Sequence, residues 1–133
     1  MDRKYLAELF GLQGKVAVVT GGGGVLCGAM SLALGRAGAR VAVLDLFPEA
    51  AHKVAEKVRE AGGEALAARC DVLDKGSVEA VAGEVMEAFG QVDFLINGAG
   101  GNKREATTSP ELPFFDLPPE AVQWVFALNF LGT

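Results

Sequence analysis

An apolar strand running straight into four glycines is the feature that most constrains this chain. Val16-Ala17-Val18-Val19-Thr20 leads into Gly21-Gly22-Gly23-Gly24, and Val25-Leu26-Cys27-Gly28 opens an apolar helical stretch. A second apolar run, residues 40–44, ends at Asp45, 17 positions after Gly28. Glycines permit a sharp turn and a close approach of ligand to backbone. The helix start offers free N–H groups and a positive dipole end, which suit a phosphate. A carboxylate closing the second strand accepts hydrogen bonds from ribose hydroxyls. Strand, turn, helix, strand and acid, in that order, is the layout of a dinucleotide site. Gly21, Gly23, Gly24, Val25 and Leu26 are its candidate cofactor-binding residues in the turn, with Asp45 and Leu46 after the second strand. Asp45 is alternatively a helix-capping or solvated acid. A carboxylate at that place repels a 2′-phosphate, so NAD is expected over NADP.

The rest of the chain bounds the classes available. Its 133 residues are the size of one domain, and 50% hydrophobic content with 22% charge is enough for a packed core. The net charge of −5 argues against a nucleic-acid partner, because phosphate backbones recruit basic surfaces. No run of 18 uncharged apolar residues is present, so no membrane span is expected. Residues 1–8 are charged and lack the apolar stretch of a signal peptide. Cys27 and Cys70 have no metal-ligand spacing and suggest neither a metal nor a disulfide scaffold. A cytoplasmic protein is the simplest expectation.

Periodicity divides the chain into alternating strands and helices. Residues 1–14 read as a short arm. Strands are expected over 15–20, 40–44, 64–70 and 92–96. Helices are expected over 25–37, 48–61, 75–89 and 119–131. Gly38 should cap the first helix, Val54 and Val58 should form the buried stripe of the second, and Asp74 should cap the third. Val78, Val81, Val85, Met86 and Phe89 form the apolar positions of that third helix, and Gly90 stops it. Residues 98–117 form a long loop, and loops of that length in a compact domain are usually functional. Alternation of this kind predicts the α/β class: a Rossmann-type doubly wound parallel sheet, partial, with four strands in the order 3-2-1-4 and flanking helices. Ligands then bind at the carboxyl ends of strands 1 and 4, where the order reverses. Asn97-Gly98-Ala99-Gly100-Gly101 follows strand 4 there, so two glycine turns converge on one crevice.

With those residues placed, the chain resembles the short-chain dehydrogenase/reductase family. Thr20-Gly21 and the following glycines resemble its cofactor turn, and Asn97-Gly98-Ala99-Gly100 resembles its Asn-Asn-Ala-Gly segment. Asp71-Val72 resembles its adenine-binding site, although Asp71 could equally cap the turn after strand 3. Asn129, within Leu128-Asn129-Phe130-Leu131-Gly132, resembles the Asn of its catalytic tetrad; a structural Asn bonded to backbone is the alternative. The Gly-Gly-Val-Leu stretch, residues 96–102 and Phe114-Phe115-Asp116-Leu117 are most similar to its D-mannonate oxidoreductase (fructuronate reductase) subgroup. Three positions depart from the family pattern. Val25 and Cys27 stand where it has the second and third turn glycines, and Gly98 stands where it has a second Asn.

The resemblance implies an NAD-dependent oxidoreductase acting on a small molecule, a sugar acid in that subgroup. Lys103 and Arg104 then suit its carboxylate, or are solvated loop charges. The family's catalytic Ser and Tyr-x-x-x-Lys lie beyond Asn129, and neither can be drawn within 133 residues. Residues 1–133 are thus expected to be the N-terminal, cofactor-binding half, inactive by itself. The rival readings are a non-catalytic dinucleotide-binding or interaction module complete at this length, and a domain binding S-adenosylmethionine, against which the Asn-Gly-Ala-Gly segment argues. The helix over 119–131 places Val122, Val125, Phe126 and Asn129 on one side and Trp124, Leu128 and Leu131 on another. One side is expected to face the sheet, and the other either to be covered by the missing half or to join a second subunit in a homo-oligomer. His52, between Ala51 and Lys53, reads as a surface residue.

Overall fold

A computed structural model describes residues 3–133. Helix α1 (Arg3–Phe10) precedes a regular alternation of β1 (Val16–Thr20), α2 (Val25–Arg36), β2 (Arg40–Asp45), α3 (Pro48–Glu60), β3 (Glu64–Arg69), α4 (Lys75–Phe89) and β4 (Phe94–Asn97). Single 3₁₀ turns over Arg104–Ala106 and Phe114–Asp116 punctuate the long loop, and α5 (Pro119–Phe126) runs on into a wide π-type turn over Ala127–Leu131. The arm expected over residues 1–14 is therefore largely a helix from Arg3 to Phe10, with residues 1 and 2 outside the described range. It packs little: Tyr5, Leu9 and Phe10 are exposed. An amphipathic stretch of only eight residues is too short to carry a clear helical period.

All strands are parallel, in the order β3-β2-β1-β4. The chain starts in the middle of the sheet, moves outward through β2 to β3, then crosses back to the other side of β1. Alternating side chains build two apolar layers. Val16, Val18, Ala42, Leu44 and Ala68 pack under Val81, Val85 and Phe89 of α4. Val19, Val41 and Val43 pack under Cys27 of α2 and Ala51, Val54 and Ala55 of α3. Burial on both faces explains why β1 and β2 read as continuous apolar runs.

Caps set the helix ends much as the sequence implies. Asp74 accepts a hydrogen bond from Gly76 N at 2.9 Å and starts α4, and Gly90, in the left-handed region, ends it. Gly38 (φ 98°) stands just beyond the C-cap Ala37 of α2. Two expectations change. Val78 and Met86 of α4 are exposed rather than buried, because β4 leaves the far side of that helix uncovered. Strand β4 begins at Phe94 rather than residue 92, because Asp93 is diverted into a clamp. Its carboxylate accepts from Val16 N (2.8 Å), Lys15 Nζ (3.0 Å) and Gln91 Nε2 (2.7 Å), tying the amino ends of β1 and β4 together. The Val16 N–H first, then the Lys15 ammonium, hold the Asp93 carboxyl below the usual carboxylate range.

Candidate functional site

The carboxyl ends of β1 and β4 lie side by side, with Thr20 in register with Asn97. The apolar β1 ends in a polar residue, and its hydroxyl is the joint of the site. Thr20 Oγ1 accepts from Gly98 N at 3.1 Å and from Ala99 N at 3.2 Å. Thr20 is 9% exposed. Sequence reasoning placed it in the turn motif without giving it a role. The readable signal was its position as the last residue of a buried strand opposite Asn97, where a hydroxyl has no apolar partner.

The two glycine turns touch. Gly21 has φ of 62°, and a Cβ there would lie 2.6 Å from Gly98 O and 2.9 Å from Ala99 N. Only glycine meets both demands. The first turn then passes across β2, with Gly22 N donating to Leu44 O at 2.8 Å. Gly24 caps α2 with no side chain bonded to the helix start, leaving the first-turn N–H groups to a ligand or water. Val25 is 97% exposed there and Leu26 is exposed beside it.

Asp45 closes β2 and locks the adjoining loops. Its Oδ2 accepts from Gly23 N at 3.0 Å and its Oδ1 from Phe47 N at 3.0 Å. The capping role weighed for Asp45 is thus present. Each carboxylate oxygen keeps a further lone pair, so the same bonds orient it for a diol. Leu46 is exposed next to it. Asp71 behaves likewise: its Oδ1 accepts from Leu73 N at 3.0 Å, shaping the turn after β3, while Asp71 N donates to Ser77 Oγ. Val72 packs against the core, close to Gly132 at the end of the chain's last turn. Burial, and then the neighbouring Asp71 carboxylate, push the Cys70 thiol up, so it stays protonated and inert.

Asn129 is drawn to the second turn. Its Oδ1 accepts from Gly101 N at 3.1 Å, and its Nδ2 donates to Gly101 O at 2.7 Å and to Val125 O at 2.8 Å. The backbone-bonded alternative is realised. The amide shares Val125 O with the helix backbone, and Gly132 N reaches back to Ala127 O in a wide turn. The helix expected to run regularly to residue 131 is distorted for that reason. Nor does α5 lay a side on the sheet as expected: Ala121 is its buried residue. Lys103 Nζ lies 4.2 Å from the Trp124 ring centre, pinning the loop to α5, whereas Arg104 is exposed. His52 is exposed on α3. Asn97, Gly98, Ala99 and Gly100 line the second turn; Gly21, Gly23, Gly24, Val25 and Leu26 line the first. Asp45 and Leu46 lie beside the first turn. Asp71 and Val72 follow β3, at the same end of the sheet. Among the described residues, no helix is long and apolar enough to cross a membrane, and no group of His, Cys, Asp and Glu could hold a metal.

What this arrangement can do chemically is bind. N–H groups at the start of α2 carry no side-chain cap and suit an anion, and the fixed Asp45 carboxylate can accept hydroxyls.

The model of the short chain dehydrogenase family matches residues 15–133. An uncharacterised oxidoreductase of Haemophilus influenzae is 39% identical over 96% of this chain and 48% of its own length. The uncharacterised oxidoreductase UxuB of Bacillus subtilis is 43% identical over 91% of this chain and 46% of its own length. A solved Haemophilus structure with bound NAD, provisionally named a D-mannonate oxidoreductase, superposes with a TM-score of 0.89 at 39% identity. The match covers 96% of this chain and 49% of that one. The chain spans about half the length of the curated relatives it matches.

Proposed function

The chain belongs to the short-chain dehydrogenase family, and from that premise we propose that it binds NAD in the crevice between its two glycine turns, as the cofactor-binding half of an oxidoreductase. The observation that carries this reading is the contact of Gly21 with Gly98, clasped by Thr20 and flanked by the fixed carboxylate of Asp45. In this reading the first-turn N–H groups of α2 take the pyrophosphate. Asp45 and Leu46 take the adenosine ribose, Asp71 and Val72 the adenine, and Asn97 to Gly100 the far side of the crevice. Bound nicotinamide supplies a hydride acceptor or donor. The chain's own residues bind it, orient it and hold the two turns in register. Asn129 is assigned the tetrad position, where it positions the second turn and a water.

Asp45 sets the cofactor preference. Two like charges about 4 Å apart repel by roughly 1–4 kcal/mol between bulk water and a protein surface. NADH is therefore expected to bind at least about fivefold more tightly than NADPH. Fluorescence titration with both cofactors measures it; equal affinity, or a preference for NADPH, sinks the assignment. Asp45→Asn should narrow the gap mainly by improving NADPH.

For the whole protein the reading is a cytoplasmic sugar-acid oxidoreductase of the D-mannonate/D-fructuronate kind. Lys103 and Arg104 are the cations within reach of the second turn for a substrate carboxylate. Support comes from the provisional name of the Haemophilus structure. The outer side of α5 is proposed to join a second copy, since Phe126 and Phe130 stack at 4.8 Å while remaining 55% and 67% exposed. Intact mass and peptide sequencing past residue 133 decide whether the protein carries a Ser and a Tyr-x-x-x-Lys. If it does, fructuronate should oxidise NADH in its presence; if a panel of sugar acids gives no turnover, the substrate reading fails.

A further inference from the structure

Two of the positions at which the chain departs from the family pattern, Cys27 and Gly98, touch each other. A Cβ on Gly98 would fall onto Cys27 Sγ and lie 2.7 Å from Thr20 O. The same point is 3.5 Å from Cys27 Cβ, an ordinary contact, so within residue 27 the sulfur alone is the obstruction. Cys27 is 8% exposed, in the first turn of α2, and packs into the apolar layer with Val19. Gly98 is held from its other side by the Thr20 hydroxyl. The sulfur therefore stands between the helix that follows the first turn and the backbone of the second.

We propose that Cys27 is a positioning residue, whose sulfur seated on bare Gly98 sets the separation of the two glycine turns and hence the width of the cofactor crevice. The side chain at 27 occupies the space a side chain at 98 would need. The inference rests on the reading that the crevice holds a dinucleotide.

The test is a set of variants in the full-length protein: Cys27→Ala, Cys27→Ser, Gly98→Ala and the Cys27→Ala/Gly98→Ala pair. NADH affinity is measured well below each Tm. Cys27→Ala should weaken NADH about threefold and Cys27→Ser should restore it, because an oxygen refills most of the gap. Gly98→Ala should weaken NADH about tenfold beside the thiol but only about threefold in the Cys27→Ala background, where Thr20 O alone must yield. Equal affinity of Cys27→Ala and the parent overturns the proposal even if every Gly98 variant fails to fold. Identical costs of Gly98→Ala in both backgrounds also overturn it. Absence of NADH binding by the parent would instead overturn the cofactor reading. The contact would then be judged on Tm alone, additive Tm losses overturning it and partial rescue by Cys27→Ala upholding it.

Discussion

Thr20 Oγ1 accepts two backbone N–H groups from a segment 78 and 79 positions away in sequence, and these are the hydrogen bonds that hold the second turn against the first. Thr20→Val keeps the shape and removes the acceptor, leaving two partly buried donors unpaired. The expected loss is roughly 1–3 kcal/mol, read by urea denaturation. Thr20→Ser should lose less than half of that, and a loss in Thr20→Ser with none in Thr20→Val would mean the methyl rather than the hydroxyl matters. At the opposite end of the same strand, Asp93 carries a pH signature. Its carboxyl is held down by Val16 N and Lys15, so its folded pKa lies below the unfolded value of about 3.9. The stability it lends is present above that value and is lost as pH falls through the folded pKa. Asp93→Asn should therefore flatten the acid limb of a Tm-against-pH profile while leaving the neutral-to-alkaline limb parallel to the parent. An unchanged acid limb would show that the clamp contributes nothing. Both residues were visible as letters; their partners were not, because each bond joins segments more than seventy positions apart.

Local chemistry dictated most of the elements. Asp74 before an apolar period and Gly90 after it mark α4 as plainly in sequence as in the fold. Asp74→Ala should cost about 1 kcal/mol by thermal unfolding, and Asp74→Asn much less. If alanine costs nothing, the Gly76 N–H is satisfied by water and the cap is decorative. Where elements departed from expectation, a tertiary partner intervened. The π-type turn over Ala127–Leu131 follows from the Asn129 amide bonding Gly101 and Val125 together. Asn129→Ala removes the side-chain bonds to Gly101 and Val125. It should raise helical ellipticity slightly while loosening the loop after β4, seen as faster hydrogen exchange at Gly101. Unchanged exchange there would separate Asn129 from loop positioning.

Over the whole molecule, apolar surface is unevenly covered. β1 and β2 are buried on both faces, whereas Phe94 and Leu95 of β4, Val78 and Met86 of α4 and Phe126 and Phe130 of the last helix are exposed. Charging the last pair, as Phe126→Asp/Phe130→Asp, should shift the protein toward a smaller species in sedimentation velocity without lowering NADH affinity. An unchanged sedimentation coefficient would remove this helix as a contact between copies. The α/β class, the strand order and the meeting of two glycine turns at the switch point were determined by sequence alone. Periodicity, caps and glycine positions are local properties, and the handedness of crossovers together with a dinucleotide turn after the first strand leaves few arrangements for four alternating strands. What only the tertiary structure decided is who touches whom across that switch point: Thr20 on Gly98, Cys27 on Gly98, Asp45 on Gly23, Asn129 on Gly101. Those contacts depend on ångström-scale separations between strands distant in sequence. No pattern of residue types encodes such separations until the sheet has packed.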